Sequence, residues 1–244
     1  MMWLDPEPIA GSAAAIATLQ AAGVPVLFVT NSSIKTARQI EAKLAAMDVD
    51  ATDAVVSSAT AVAQLVAPGD RVLVAGGPGI HEALDAAGAE AIADGPDTPT
   101  DGFDAIILGI HFDFDYAVMT RLCQAILGGA RFLATNDDSS FPTPNGLVPG
   151  NGALVASVER ATGLTADIAG KPHPAMVSLV RDRVGEHGIM VGDRPDTDGR
   201  FAYAMGYEFG LVLSGVTGAA ALPVQPEPAF IAADLAELVA KRHG

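Results

Sequence analysis

Six runs dominated by apolar residues, VPVLFVT (24–30), RVLVAGG (71–77), FDAIILG (103–109), ARFLAT (130–135), GIMVGD (188–193) and YEFGLVLSG (207–215), alternate with helix-forming segments along the chain. A strand that is apolar on both sides needs cover on both faces, so the alternation predicts an α/β fold with a parallel sheet between helices. Ser12 followed by AAAIATLQAA and Gly23 supplies a cap, good helix formers and a terminator for the first helix. Further helices are predicted over 34–47, 59–66, 80–87, 116–127, 153–161, 174–184, 198–206 and 234–242. Short strands are expected near 54–57 and 89–93, and loops rich in Pro and Gly over 94–102 and 141–152.

With 244 residues, half of them hydrophobic, the chain can bury one sizeable core or a core that carries a second, smaller domain. The units change in character from Arg71 onward, and about four strands and two helices follow before the first pattern resumes. Residues 1–71 and 166–244 are therefore expected to form the core domain, and 72–165 an inserted α/β domain.

Charge narrows the partners. Fourteen Lys and Arg against 29 Asp and Glu leave a formal charge of −15, so the surface repels a polyanion and nucleic acid is not an expected partner. A small anionic ligand would have to meet a local positive site. Cys123 is the single cysteine, which rules out an intramolecular disulfide and fits a packing role. The N-terminal MMWLDPEPIAG has no basic region leading into an apolar stretch, and Gln20, Gly23 and Pro25 interrupt the longest apolar segment. A cytoplasmic protein without a membrane partner is expected.

In open parallel sheets, ligands bind beyond the carboxyl ends of the strands, and three such ends carry polar residues suited to chemistry. The first is VTNSS, where the Thr30 hydroxyl and the N–H of Asn31 suit a phosphoryl oxygen, although Thr-Asn-Ser after a strand also suits a helix cap. The second is GKPHP, where Lys171 can serve as a point charge for a phosphoryl group or as ordinary solvated surface. The third is VGDRPDTD: a strand delivers Asp193, and Asp196 and Asp198 follow within a turn. Hard oxygen donors so grouped suit Mg²⁺, while N-capping by Asp196 or Asp198 is the structural alternative.

In this order, with EPIAGS, VSSATA, ATNDD, GLVPGNGALV and GKPHPAM between and around them, these segments resemble motifs two, three and four of the haloacid dehalogenase superfamily, NagD-like branch. The resemblance spans nearly the whole chain. It implies a doubly wound, Rossmann-like core with an inserted cap, and a Mg²⁺-dependent phosphatase that hydrolyses a small phosphorylated metabolite through an aspartyl-phosphate. By motif match, Thr30 and Asn31 would hold phosphoryl oxygens, Lys171 would neutralise nucleophile and phosphate, and Asp193 would ligate Mg²⁺. Asp198 would orient a metal-bound water, with Asp196 ranked below it. Cap contacts with substrate are expected from His111 and Asp113 and from Asn136 and Asp138, and a homodimer through the cap is the expected assembly.

One motif departs from the pattern. The family's DxDG, which carries the nucleophile and the general acid, precedes motif two by about 33 residues, and counting back from Thr30 sets it just upstream of Met1. A truncated or misassigned start is the expected cause, and the alternative is a non-catalytic pseudophosphatase that retains a phosphate or partner site. Asp5 with Glu7 mimics the missing pair, but the spacing to Thr30 is too short. AGGPGIHE (75–82) lacks the third glycine of a dinucleotide loop and is assigned to a turn of the inserted domain. The five histidines share no metal-ligand spacing.

Overall fold

The computed structural model describes residues 2–4, 7–143 and 146–243. Asp5, the rejected stand-in for the nucleophile, lies outside the described residues. The chain begins with β1 (Trp3–Leu4), β2 (Glu7–Pro8), α1 (Ser12–Ala21), β3 (Phe28–Thr30), α2 (Ala37–Ala45), β4 (Val55–Ser57) and α3 (Ser58–Ala63). It continues through β5 (Arg71–Ala75), α4 (Pro78–Ala87), β6 (Glu90–Ala93), β7 (Ala105–Leu108), α5 (Tyr116–Leu127) and β8 (Arg131–Ala134). Then come β9 (Ser140–Thr143), β10 (Gly146–Pro149), α6 (Asn151–Thr162), β11 (Asp167–Ile168), α7 (Pro174–Val184) and β12 (Ile189–Gly192). A π-helical turn (Pro195–Gly199), α8 (Arg200–Met205), β13 (Glu208–Val212), β14 (Phe230–Ala232) and α9 (Leu235–His243) complete it.

Two compact units emerge. One comprises Met1–Phe28, Ile40–Val55 and Lys171–Gly244; the other comprises Val29–Gln39 and Val56–Gly170. The second contains a five-stranded sheet in the order β11-β8-β7-β5-β6 with every pairing parallel. Strands β5, β7 and β8 are three of the predicted apolar runs and β6 is the short strand expected near 89–93, whereas the sequence predicts no strand at β11; alternation sends side chains to opposite faces. Leu73, Ile106 and Leu108 pack on one face with Val118, Leu122 and Ile126 of α5 and Val155 and Val158 of α6. Val72, Val74 and Ile107 are buried too, as the double-sided pattern requires. In the first unit, β12, β13 and β14 form a parallel sheet in that order, and Phe209 and Leu211 pack with Ala202 of α8.

Several expectations need correction. Only Phe28–Thr30 of the predicted 24–30 strand is extended in a sheet, where β3 pairs with β4. The 34–47 helix starts later, at Ala37, because Thr36 and Gln39 form a reciprocal cap: each side chain accepts the other's backbone N–H, at 3.1 and 3.0 Å. Ser12 is the first helical residue rather than the cap, which is Gly11 at φ 79°. Part of the 141–152 loop is a hairpin, β9 against β10, with Phe141 opposite Val148. Among the described residues, no helix is long and apolar enough to cross a membrane.

Candidate functional site

The strongest sequence signal lies where β12 ends. Asp198 reaches back from the π-helical turn, in which the N–H groups of Thr197, Asp198 and Gly199 all point to the Arg194 carbonyl. This wide turn brings the Asp198 carboxylate over the strand end instead of out to solvent. Its Oδ2 accepts the backbone N–H groups of Asp193 and Arg194, both at 3.1 Å, and its Oδ1 accepts from Lys171 Nζ at 2.6 Å. Lys171 and Asp198 are only 6 % and 5 % exposed, so this is a buried ion pair, stable because hydrogen bonds satisfy the carboxylate on both oxygens. Gly192 is required beside it, since a Cβ there would overlap the Asp198 side chain.

Asp193 is held by a second loop. Its Oδ2 accepts the Val216 N–H at 2.7 Å, and its carbonyl accepts the Thr217 N–H at 3.2 Å. Gly215 lies so close that a Cβ would overlap the Asp193 carboxylate. Among the described residues, Asp193 Oδ1 takes part in no hydrogen bond. The preceding Ser214 has its Oγ buried and likewise without a hydrogen-bond partner. Asp196 differs: its side chain is half exposed and pairs with Arg194 at 2.7 Å, and that guanidinium holds its carboxyl below the usual carboxylate range. Neither Asp196 nor Asp198 caps a helix through its side chain, so that alternative does not hold.

The second unit contains a different network. Asn31 donates its amide to the Asp138 carboxylate at 3.1 Å, and its carbonyl accepts Ser58 Oγ at 2.6 Å and Asn136 Nδ2 at 2.9 Å. Asn136 Oδ1 accepts the Asp138 N–H at 3.1 Å. Asn151, 2 % exposed at the start of α6, donates its amide to the carbonyls of Leu108 and Asn136 and so ties the ends of β7 and β8 together. Thr30 Oγ1 accepts the Ser32 N–H at 3.1 Å, a local turn rather than a helix cap.

The structure thus gathers Lys171, Asp193 and Asp198 in one unit, and Asn31, Asn136 and Asp138 in the other. His111 and Asp113 lie in the segment between β7 and α5, and their side chains make no hydrogen bond or ion pair with a described residue. Among the described residues, no three His, Cys, Asp or Glu side chains are grouped as a metal cage. Sequence reasoning missed Ser58, Asn151, Gly192 and the 214–217 loop. A small residue at the end of β12 and another in the loop after β13 were the available signals for Gly192 and Gly215.

A haloacid dehalogenase-like hydrolase family model matches residues 1–90, and a HAD-hydrolase-like model matches residues 168–238. D-glycerol 3-phosphate phosphatase of Mycobacterium tuberculosis is 36 % identical over 223 residues, 87 % of this chain and 62 % of that protein. The chain therefore spans less than two thirds of that relative. The acid sugar phosphatase of Staphylococcus aureus is 34 % identical over 204 residues, covering 81 % of this chain and 76 % of its own. Among solved structures, a p-nitrophenyl phosphatase from Archaeoglobus fulgidus superposes with a TM-score of 0.88 at 27 % identity, over 96 % of this chain and 93 % of the other. Glycerol phosphate phosphatase from Mycobacterium tuberculosis in complex with magnesium superposes with a TM-score of 0.84 at 33 % identity, over 98 % and 73 % of the two chains. Matching at both ends and at this identity and coverage, the chain belongs to the haloacid dehalogenase-like hydrolases.

Proposed function

We propose that this chain is a Mg²⁺-dependent phosphomonoesterase that acts on a small phosphorylated metabolite through an aspartyl-phosphate. The observation that supports it most is the buried Lys171–Asp198 pair joined through Asp198 to the backbone at Asp193. A lysine is not buried on a carboxylate without function or compensation. Here the pair fixes an ammonium group beside a strand end, where a phosphoryl group needs charge neutralisation. The relatives are named D-glycerol 3-phosphate phosphatase and acid sugar phosphatase, which suits a small phosphomonoester here.

Magnesium fits the residues present. Mg²⁺ takes one or two carboxylates and keeps several waters, and among the described residues Asp193 offers one carboxylate oxygen without a hydrogen bond, while Ser214 of the loop that holds it has a buried hydroxyl without one. When bound, the ion neutralises phosphate charge. Asp193 is the residue to hold it, and Asp198, whose oxygens are engaged by Lys171 and two N–H groups, positions both Lys171 and Asp193. Lys171 meets the phosphoryl oxygens as a fixed cation. To Thr30 and Asn31 we assign phosphoryl contacts from the motif match alone, and to His111, Asp113, Asn136 and Asp138 contacts with the rest of the substrate.

The test is phosphate release from glycerol phosphate, sugar phosphates and p-nitrophenyl phosphate in Mg²⁺. Lys171→Ala and Asp193→Asn should each lower kcat by about 10²–10³-fold, the scale for removing one preorganised electrostatic contact. Activity that survives both changes refutes the assignment. The pseudophosphatase alternative predicts phosphate binding with no turnover.

A further inference from the structure

The loop after β13 does more than cover Asp193; it restrains which atom of the carboxylate is offered. Val216 donates its N–H to Oδ2 at 2.7 Å, Thr217 donates to the Asp193 carbonyl at 3.2 Å, and the Gly215 backbone packs so closely on the carboxylate that no side chain fits between. One oxygen is thereby occupied and the group cannot rotate without losing that bond. Among the described residues, Oδ1 has no hydrogen bond and is the oxygen left for a ligand.

We propose that residues 215–217 act as a specificity-determining clamp that makes Asp193 a one-oxygen ligand and so favours Mg²⁺ over Ca²⁺ at this site. The inference rests on the reading of Asp193 as the metal ligand. Its physical basis is the difference between the two cations. Ca²⁺ accepts six to eight oxygens and readily takes both oxygens of one carboxylate, whereas Mg²⁺ demands near-octahedral geometry with single-oxygen contacts. A carboxylate pinned through Oδ2 loses nothing toward Mg²⁺ but withholds the second contact from Ca²⁺. None of the three clamp contacts to Asp193 uses side-chain chemistry of the loop: two are backbone N–H donors and one is a missing Cβ.

Calorimetric titration with MgCl₂ and with CaCl₂, each as the metal alone, tests the clamp on the wild type, Gly215→Ala, Val216→Pro and Asp193→Asn. Gly215→Ala pushes the carboxylate away from the loop, and Val216→Pro deletes the N–H while leaving the space open. Each frees Oδ2 as a second contact for Ca²⁺, so the Mg²⁺/Ca²⁺ affinity ratio should fall by about 10- to 100-fold, chiefly through tighter Ca²⁺ binding. Circular dichroism identifies any variant that fails to fold. A folded variant that keeps the wild-type Mg²⁺/Ca²⁺ ratio overturns the clamp, as does a wild type that binds Ca²⁺ as tightly as Mg²⁺, a result independent of either variant. Asp193→Asn separates the two levels: unchanged Mg²⁺ affinity there removes the metal-ligand reading itself, while lost affinity with an unaltered ratio in Gly215→Ala removes only the clamp.

Discussion

The two units organise their strand ends with opposite chemistry. In the first, a buried carboxylate and a buried ammonium meet at 2.6 Å and backbone N–H groups complete the carboxylate's shell. In the second, neutral amides do the work: Asn31, Asn136 and Asn151 tie carbonyls and a carboxylate together. Charge needs a full set of partners to be buried at all, so the first cluster is costly to disturb and well suited to handling another charge. Amide networks are cheaper to disturb and better suited to fixing loop geometry.

The largest expected effect separates the two. Lys171→Met leaves Asp198 charged and buried, and should cost about 3–5 kcal/mol in urea unfolding. Adding Asp198→Asn, which keeps an acceptor for the Asp193 and Arg194 N–H groups while removing the charge, should restore most of that loss. Equal stability of single and double variants would mean that the pair is not the buried charge it resembles. In the amide network, Asn151→Ala strips one donor from each of two carbonyls and should cost about 1–3 kcal/mol, with little dependence on salt. A loss that matches the Lys171 variant would erase the distinction between the clusters.

Legibility in the sequence follows the same division. Runs such as RVLVAGG and FDAIILG became β5 and β7 because a strand buried on both faces has only one composition available to it. Lys171, Asp193 and Asp198 were legible because charged residues at apolar strand ends are conspicuous, and their spacing matched a known pattern. The clamp on Asp193 was not: backbone N–H groups belong to every residue, so nothing in Gly-Val-Thr announces that Val216 and Thr217 will point at a carboxylate. Asn151 was hidden for another reason, since its partners, Leu108 and Asn136, are 43 and 15 residues away. The β9–β10 hairpin was missed because its prolines read as loop, although Asn145-Gly146 is also a hairpin turn signal.

Smaller effects sharpen the contrast. The Arg194–Asp196 pair lies beside the buried one but its carboxylate is half exposed, so Arg194→Ala should change neutral-pH stability through that pair by no more than about 1 kcal/mol. Arg194 depresses the Asp196 carboxyl, so the contribution of the pair is present above the ordinary carboxylate range and is lost as pH falls through the lowered folded value. In Arg194→Ala that loss disappears from acid unfolding curves; its persistence would assign the depression to another group. Smallest is a rate effect: burial pushes the Cys123 thiol up, so iodoacetamide should react slowly at neutral pH and faster in Asn151→Ala, where the second unit opens more often.

The central claim is that Lys171, held by Asp198 beside Asp193, binds phosphate together with a divalent cation. Equilibrium dialysis of inorganic phosphate with and without Mg²⁺ measures this without requiring turnover. Wild-type protein should retain phosphate more tightly when Mg²⁺ is present, and Lys171→Ala and Asp193→Asn should each abolish the gain. Retention that ignores both Mg²⁺ and the two substitutions would contradict it.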